Sequence, residues 1–208
     1  MIRWKTAVVV GLAALVAGGV GLVYARGWKA AEPRAPQDTR LAASSERLPE
    51  PIKEDADSPK VIYDPGTLPE PVQRMLSKIV SAAQSGNLEA MRTVLESNEL
   101  KPMVAAAHVS DPIDYWKKQS ANGAGRDVLA AMLNIIASGG VLTGKGHDAI
   151  YVWPYFAEID IAKLTPPQQV EFYRVVPPKA AAAILESGKY TYYRLGISPS
   201  GVWHYFIR

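Results

Sequence analysis

The sequence predicts an α+β domain: a helical hairpin and further short helices packed on a small antiparallel, aromatic-rich sheet of three to four strands. Two observations lead there. Between Pro69 and Ala137 apolar residues recur at helical spacing and are punctuated by caps and glycines. From Ala149 to the end stand twelve of the chain's eighteen aromatics, many at alternating positions that fit a pleated, half-buried surface.

The elements follow in order. Pro69 and Pro71 suit a first helical turn, and Val72, Met75, Leu76, Ile79, Val80 and Ala83 then mark one helix face. Gly86 stops that helix, Asn87 caps the next, and Leu88, Met91, Val94 and Leu95 form the second inner face. This pair of helices joined by Ser85-Gly86-Asn87-Leu88-Glu89 resembles the start of the NTF2-like fold, a cone-shaped α+β family. The resemblance covers the hairpin and implies a long curved sheet behind it; no ligand site is carried over from it.

Asp111-Pro112 opens a short helix that Tyr115 and Trp116 anchor. After the loop at Asn122-Gly123-Ala124-Gly125, a stripe of Val128, Leu129, Met132, Leu133 and Ile136 marks a helix over 126–138, stopped by Gly139-Gly140 and laid across the sheet. Ala149 to Phe156 reads as a strand covered on both faces, in which Pro154, lacking a ladder donor, implies either an edge position or the strand's end. Thr165, Pro166 and Gln168 form a capping box, and the helix behind it presents Val170, Tyr173 and Val176. Pro177-Pro178 separates it from an alanine-rich helix that Gly188 stops. Tyr190 to Ile197 and Val202 to Ile207, joined by Ser198-Pro199-Ser200-Gly201, read as a β-hairpin, with Val141-Leu142-Thr143 as a possible fourth strand.

This domain, residues 68–208, sits behind two segments of different character. Residues 1–5 are a basic head, and Thr6 to Ala25 carries no charge for twenty residues, about the length that crosses a bilayer as a helix. It reads as a transmembrane anchor (1–25), the alternative being a signal peptide cut near Ala25 after Val23-Tyr24-Ala25. Residues 26–67 are a Pro-rich spacer with few apolar residues and no period, unable to offset its ordering entropy. Such a spacer spans roughly 35 Å on average. The expected location is the inner (cytoplasmic) membrane, single-pass with the C-terminal domain outside, or secreted or periplasmic after cleavage.

Composition narrows the chemistry. With no cysteine there is no disulfide framework, thiolate metal site or thiol nucleophile. The net charge of +3 gathers near the N-terminus, which points to membrane topology and away from nucleic acid. Gly139 to Gly146 matches G-x-x-x-x-G-K, but Gly146 stands where Ser or Thr should hold magnesium, and a helix precedes where one should follow. His108, His147 and His204 have no zinc-binding spacing, so neither metal nor cofactor is expected. Glu158 and Asp160 are the nearest approach to a carboxylate pair, and no G-x-S-x-G elbow occurs.

The aromatic strand pair is the remaining feature suited to binding. Tyr190 and Tyr192 would share one strand face, Trp203 and Tyr205 the next, giving one strip near the Gly144–Asp148 turn with His147. Turned inward, these rings are core beneath the helices; the excess of tyrosine over phenylalanine leaves part of the strip reaching water. The expected function is a membrane-tethered, bacterial-type envelope protein with a non-enzymatic module that binds an envelope protein or a cell-wall component. The alternatives are a hydrolase of an envelope polymer using Glu158 or His147, and a structural subunit of a membrane complex.

Overall fold

The computed structural model describes residues 59–208; the basic head, the uncharged run and the spacer as far as Ser58 lie outside the described residues. The described part is α+β. Six helices, α1 (Glu70–Gln84), α2 (Ala90–Glu96), α3 (Pro112–Gln119), α4 (Arg126–Ala137), α5 (Pro166–Val175) and α6 (Pro178–Ser187), accompany four strands. The strands are β1 (Val141–Thr143), β2 (Ile150–Trp153), β3 (Arg194–Ile197) and β4 (Trp203–Ile207). They lie in the order β1-β2-β3-β4, antiparallel throughout, with α5 and α6 inserted between β2 and β3.

The helices start where local chemistry allows. Asp111 accepts the N–H groups of Ile113 and Asp114 at the head of α3, and the Thr165–Gln168 capping box opens α5. Gly188, in the left-handed region, ends α6. Val72, Met75, Leu76, Ile79 and Ala83 of α1 and Val128, Leu129 and Met132 of α4 are buried, as the periodicity predicts, whereas Val80, Leu133 and Ile136 are only half-buried and Ile135 takes the innermost place instead. The G-x-x-x-x-G-K stretch proves to be α4's stop, then β1, then a three-residue 3-10 turn at Gly146–Asp148, so it feeds no α-helix N-terminus.

The small antiparallel sheet predicted from the sequence is found, with strands of three to five residues, shorter than the sheet that the NTF2-like resemblance implies. Two expectations need correction. The helix after Thr165 turns a different side inward: Val176 is buried as expected, but Phe172 and Val175 are buried in place of Val170 and Tyr173, which face water. Phe172 packs edge-on against Phe156 at 5.4 Å, and burying phenylalanine spares the hydroxyl that tyrosine would have to satisfy. Finally, residues 60–67, assigned by composition to the spacer, belong to the folded part. Ile62 and Gly140 exchange backbone hydrogen bonds of 2.7 and 2.9 Å at β1, and residues 65–67 form a 3-10 turn.

Gly139 and Gly140 make that docking possible. Gly139 has φ +87°, and a Cβ there would stand 2.9 Å from Val61 and 3.0 Å from the Tyr63 ring. A Cβ on Gly140 would strike the Trp153 ring at 2.6 Å. The sheet's other border is closed as well: Met103 donates to His204 C=O and accepts from Phe206 N–H. Exposed sheet edges template unwanted pairing, and here single bridges stand at the two borders, Ile62 with Gly140 just before β1 and Met103 with Tyr205 on β4.

Candidate functional site

The predicted strip depends on Trp203 and Tyr205 sharing a strand face, and the register shows that they do not. Ile197 lies opposite Trp203, but its neighbour Gly196 lies opposite Tyr205. One residue on β3 is thus matched by two on β4, a β-bulge at His204 that reverses the side-chain alternation. Trp203 joins Phe206 on one face, and Tyr205 goes to the other. Tyr190 and Tyr192 do not extend β3 either, because the strand begins at Arg194. The four rings therefore divide into two groups.

The first group is core. Trp203 is fully buried and stacks on Trp116 of α3 at 6.2 Å, and Trp116 meets Phe206 edge-on at 5.9 Å. Phe206 in turn stacks on Tyr193 at 4.8 Å with the planes 2° apart, and the Arg208 guanidinium stands 5.6 Å from the Tyr193 ring. Tyr192, half-buried, packs edge-on against Tyr193 at the rim of this column. Trp203, proposed from sequence as a binding residue, is thereby corrected to a core residue that holds β4 against α3. Its indole N–H is spent inside, donating to Tyr205 C=O at 2.9 Å.

The second group gathers around Arg194, on the face that Gly196 leaves open. The Tyr205 ring lies across Gly196, where a Cβ would meet the phenol carbon at 2.4 Å and Ile150 at 2.8 Å. Burial pushes the Tyr205 hydroxyl up to about 12; Glu158 adds to the rise and Arg194 opposes it. Burial also raises Tyr190, with Tyr192 adding and Arg194 opposing. Partial burial raises Glu158, again against the pull of Arg194. Arg194 thus acts electrostatically on Tyr190, Tyr205 and Glu158 together, while forming no ion pair among the described residues.

Two of these hydroxyls are uncommitted. Tyr190 donates to Tyr193 C=O at 2.9 Å, which fixes its ring. The hydroxyls of Tyr205 and Tyr192 have no hydrogen-bond partner among the described residues. The half-buried Tyr205 ring lies over Gly196 beside the apolar Ile150, with Arg194 and Glu158 acting on its hydroxyl, and a phenol so placed is able to stack a flat or ring-shaped group and hydrogen-bond its polar rim. Sequence reasoning placed Tyr190 and Tyr205 here, but missed Arg194 and the bulge that aims Tyr205 outward.

His147 stands apart. It lies in a 3-10 turn (Gly146–Asp148) between β1 and β2, with its side chain 93% exposed and its Nε2 3.2 Å from an Asp148 carboxylate oxygen. No hydrogen bond among the described residues joins it to the aromatic group. Asp160 caps the turn at Ile161–Lys163 by accepting from Ala162 N–H, and its other oxygen lies 3.4 Å from Lys163 Nζ. Among the described residues no three metal-ligating side chains come together. A further concavity escaped sequence reasoning: an open groove of about 520 Å³ between α1 and α2, lined by Lys78, Ser81, Ser85, Thr93 and Ser97. Small residues facing each other across the helical hairpin are its signal, since they leave the groove unfilled.

Comparison with protein-family models, with curated proteins and with solved structures finds no match.

Proposed function

We propose that the chain is a membrane-tethered binding module of a bacterial-type envelope. Residues 6–25 hold it in the inner membrane, and the folded part outside engages an envelope protein or a cell-wall component through Tyr205, Arg194 and Tyr190, with Tyr192 and His147 as further contacts. The observation that carries this reading is the order of segments: a basic head, a twenty-residue uncharged run, a Pro-rich spacer and then a folded domain. The binding role is supported by the Tyr205 hydroxyl and by Arg194, which acts on it electrostatically; among the described residues the hydroxyl has no hydrogen-bond partner and Arg194 forms no ion pair. Trp203 has no part in it, being buried.

A pull-down from envelope extract tests the reading, with the full chain compared with Tyr205→Ala, Arg194→Ala and Tyr192→Ala. The expected result is loss of the captured component in Tyr205→Ala and Arg194→Ala, with the fold retained by circular dichroism. Unchanged capture by folded variants counts against it. A second reading, hydrolysis of an envelope polymer, is favoured by one feature, the Glu158 carboxyl raised by burial as a proton donor would need. Cell-wall digestion by the purified chain that Glu158→Gln abolishes would replace the binding reading.

A further inference from the structure

Helix α5 exposes what a core helix ordinarily hides. Phe172 and Val175 are buried on one side, yet on the opposite side Pro166, Val170, Tyr173 and Arg174 follow the helical repeat into a single exposed stripe. Val170 is 67% exposed and Tyr173 52%, and with Tyr63 at 59% they make up half of the six exposed large hydrophobics of the described residues. Val170 and Tyr173 are one helical turn apart on α5, and Tyr63 is tied to the same helix through Glu171. Tyr63 donates its hydroxyl to Glu171, the residue after Val170, at 3.1 Å, and Tyr155 donates to the same carboxylate oxygen at 3.0 Å. Glu171 is thereby turned toward the two phenols, and the exposed stripe of α5 carries no carboxylate.

This patch lies where the chain enters the folded part. The described residues begin at Pro59, and Val61, Ile62 and Tyr63 are fixed to β1 and Glu171 within the next few positions. Thirty-three residues separate Ala25 from Pro59, and a random coil of that length spans roughly 30 Å on average. The surfaces around the entry point are therefore those most often carried to the bilayer, and a tether lets a weak contact act by raising its local concentration. Proline, valine and tyrosine flanked by an arginine match the apolar–polar boundary of a lipid surface, where an aromatic ring sits at headgroup level and a guanidinium meets phosphate.

We infer that the α5 stripe of Val170, Tyr173 and Arg174 rests on the outer surface of the membrane that anchors the chain, so that the domain lies against the bilayer. This rests on the tethered reading above, and one experiment separates the two. The chain has no cysteine, so single Val170→Cys or Tyr173→Cys variants of the full chain, and Glu96→Cys on α2 as a reference, can each carry one nitroxide. The labelled chains are reconstituted into vesicles of zwitterionic and anionic phospholipid and recovered by flotation. At positions 170 and 173, lipid-soluble oxygen is expected to relax the label more than a water-soluble nickel chelate, with the reverse at 96. Floating vesicles whose 170 and 173 labels respond chiefly to nickel overturn the inference and leave the tether intact. Spin–spin broadening that disappears on dilution with unlabelled chain overturns it in favour of a second copy on the stripe. A chain that fails to float overturns the tether, and the inference with it.

Discussion

Asn98 pairs with the main chain of Trp203 in both directions: its Oδ1 accepts the Trp203 N–H at 2.9 Å, and its Nδ2 donates to the Trp203 C=O at 2.7 Å. One side-chain amide thus does what a neighbouring strand residue would do for the outer border of β4, and Met103 continues the pairing at His204 and Phe206. Asn98→Ala leaves two half-buried backbone groups without these partners and is expected to cost about 1–3 kcal/mol. Denaturant titration checks this, with an unchanged slope and a lower midpoint as the expected outcome.

Gly196→Ala places a methyl group inside the space of the Tyr205 ring and Ile150. Overpacking of this kind costs about 1–3 kcal/mol, and the ring is the part able to move. The variant is expected to melt at a lower temperature and to lose the captured envelope component, because Tyr205 no longer lies across the sheet. Calorimetry together with the pull-down checks both halves.

Alkaline pH should unfold the domain steeply. Burial raises Tyr63, Tyr155, Tyr190, Tyr192, Tyr193 and Tyr205 above the ordinary tyrosine value of 10.0, with Glu171 adding to the rise at Tyr63 and Tyr155. Above that value the unfolded chain gives up protons that the folded chain keeps, so the unfolded state binds fewer protons and stability falls as pH rises. Stability is expected to be flat with respect to these groups below pH 10 and to drop beyond it. Ionisation of Tyr155, Tyr190 and Tyr205, read from the phenolate absorbance that Tyr→Phe variants at these positions remove, should then appear together with loss of circular dichroism; their phenolates in a still-folded domain would contradict the burial of these three rings.

At acid pH the corresponding group is Asp111. Burial works to raise it, but Arg92 at 3.1 Å and the N–H groups of Ile113 and Asp114 hold it below the ordinary aspartate value. Its contribution is present above the unfolded aspartate pKa and is lost as pH falls through the lower folded value. Asp111→Ala removes the α3 cap and is expected to cost about 1 kcal/mol at neutral pH. The difference from wild type should shrink on acidification, which paired urea titrations at two pH values would show.

Much of the helical half was legible because its signals are local. Asp111-Pro112, the Thr165–Gln168 box and Gly188 begin or end helices through contacts within one turn. What sequence did not show depends on distant partners. The parity switch at His204 exists only once β4 is registered against β3, and it sent Trp203 into the core and Tyr205 to the opposite face. The choice of Phe172 over Tyr173 for burial followed from Phe156 waiting inside. The docking of Val61 to Tyr63 required a slot built by Gly139 and Gly140, some eighty residues further along the chain.

The topology of the folded part tests the central claim most directly. His147 is almost wholly exposed, and the chain offers no other thiol, so His147→Cys gives a single reporter on the domain surface. Intact bacterial cells expressing the full chain, with the outer barrier permeabilised, are treated with a membrane-impermeant thiol reagent. Labelling without lysis of the inner membrane is the expected result; labelling that appears only after lysis would contradict a domain held outside that membrane.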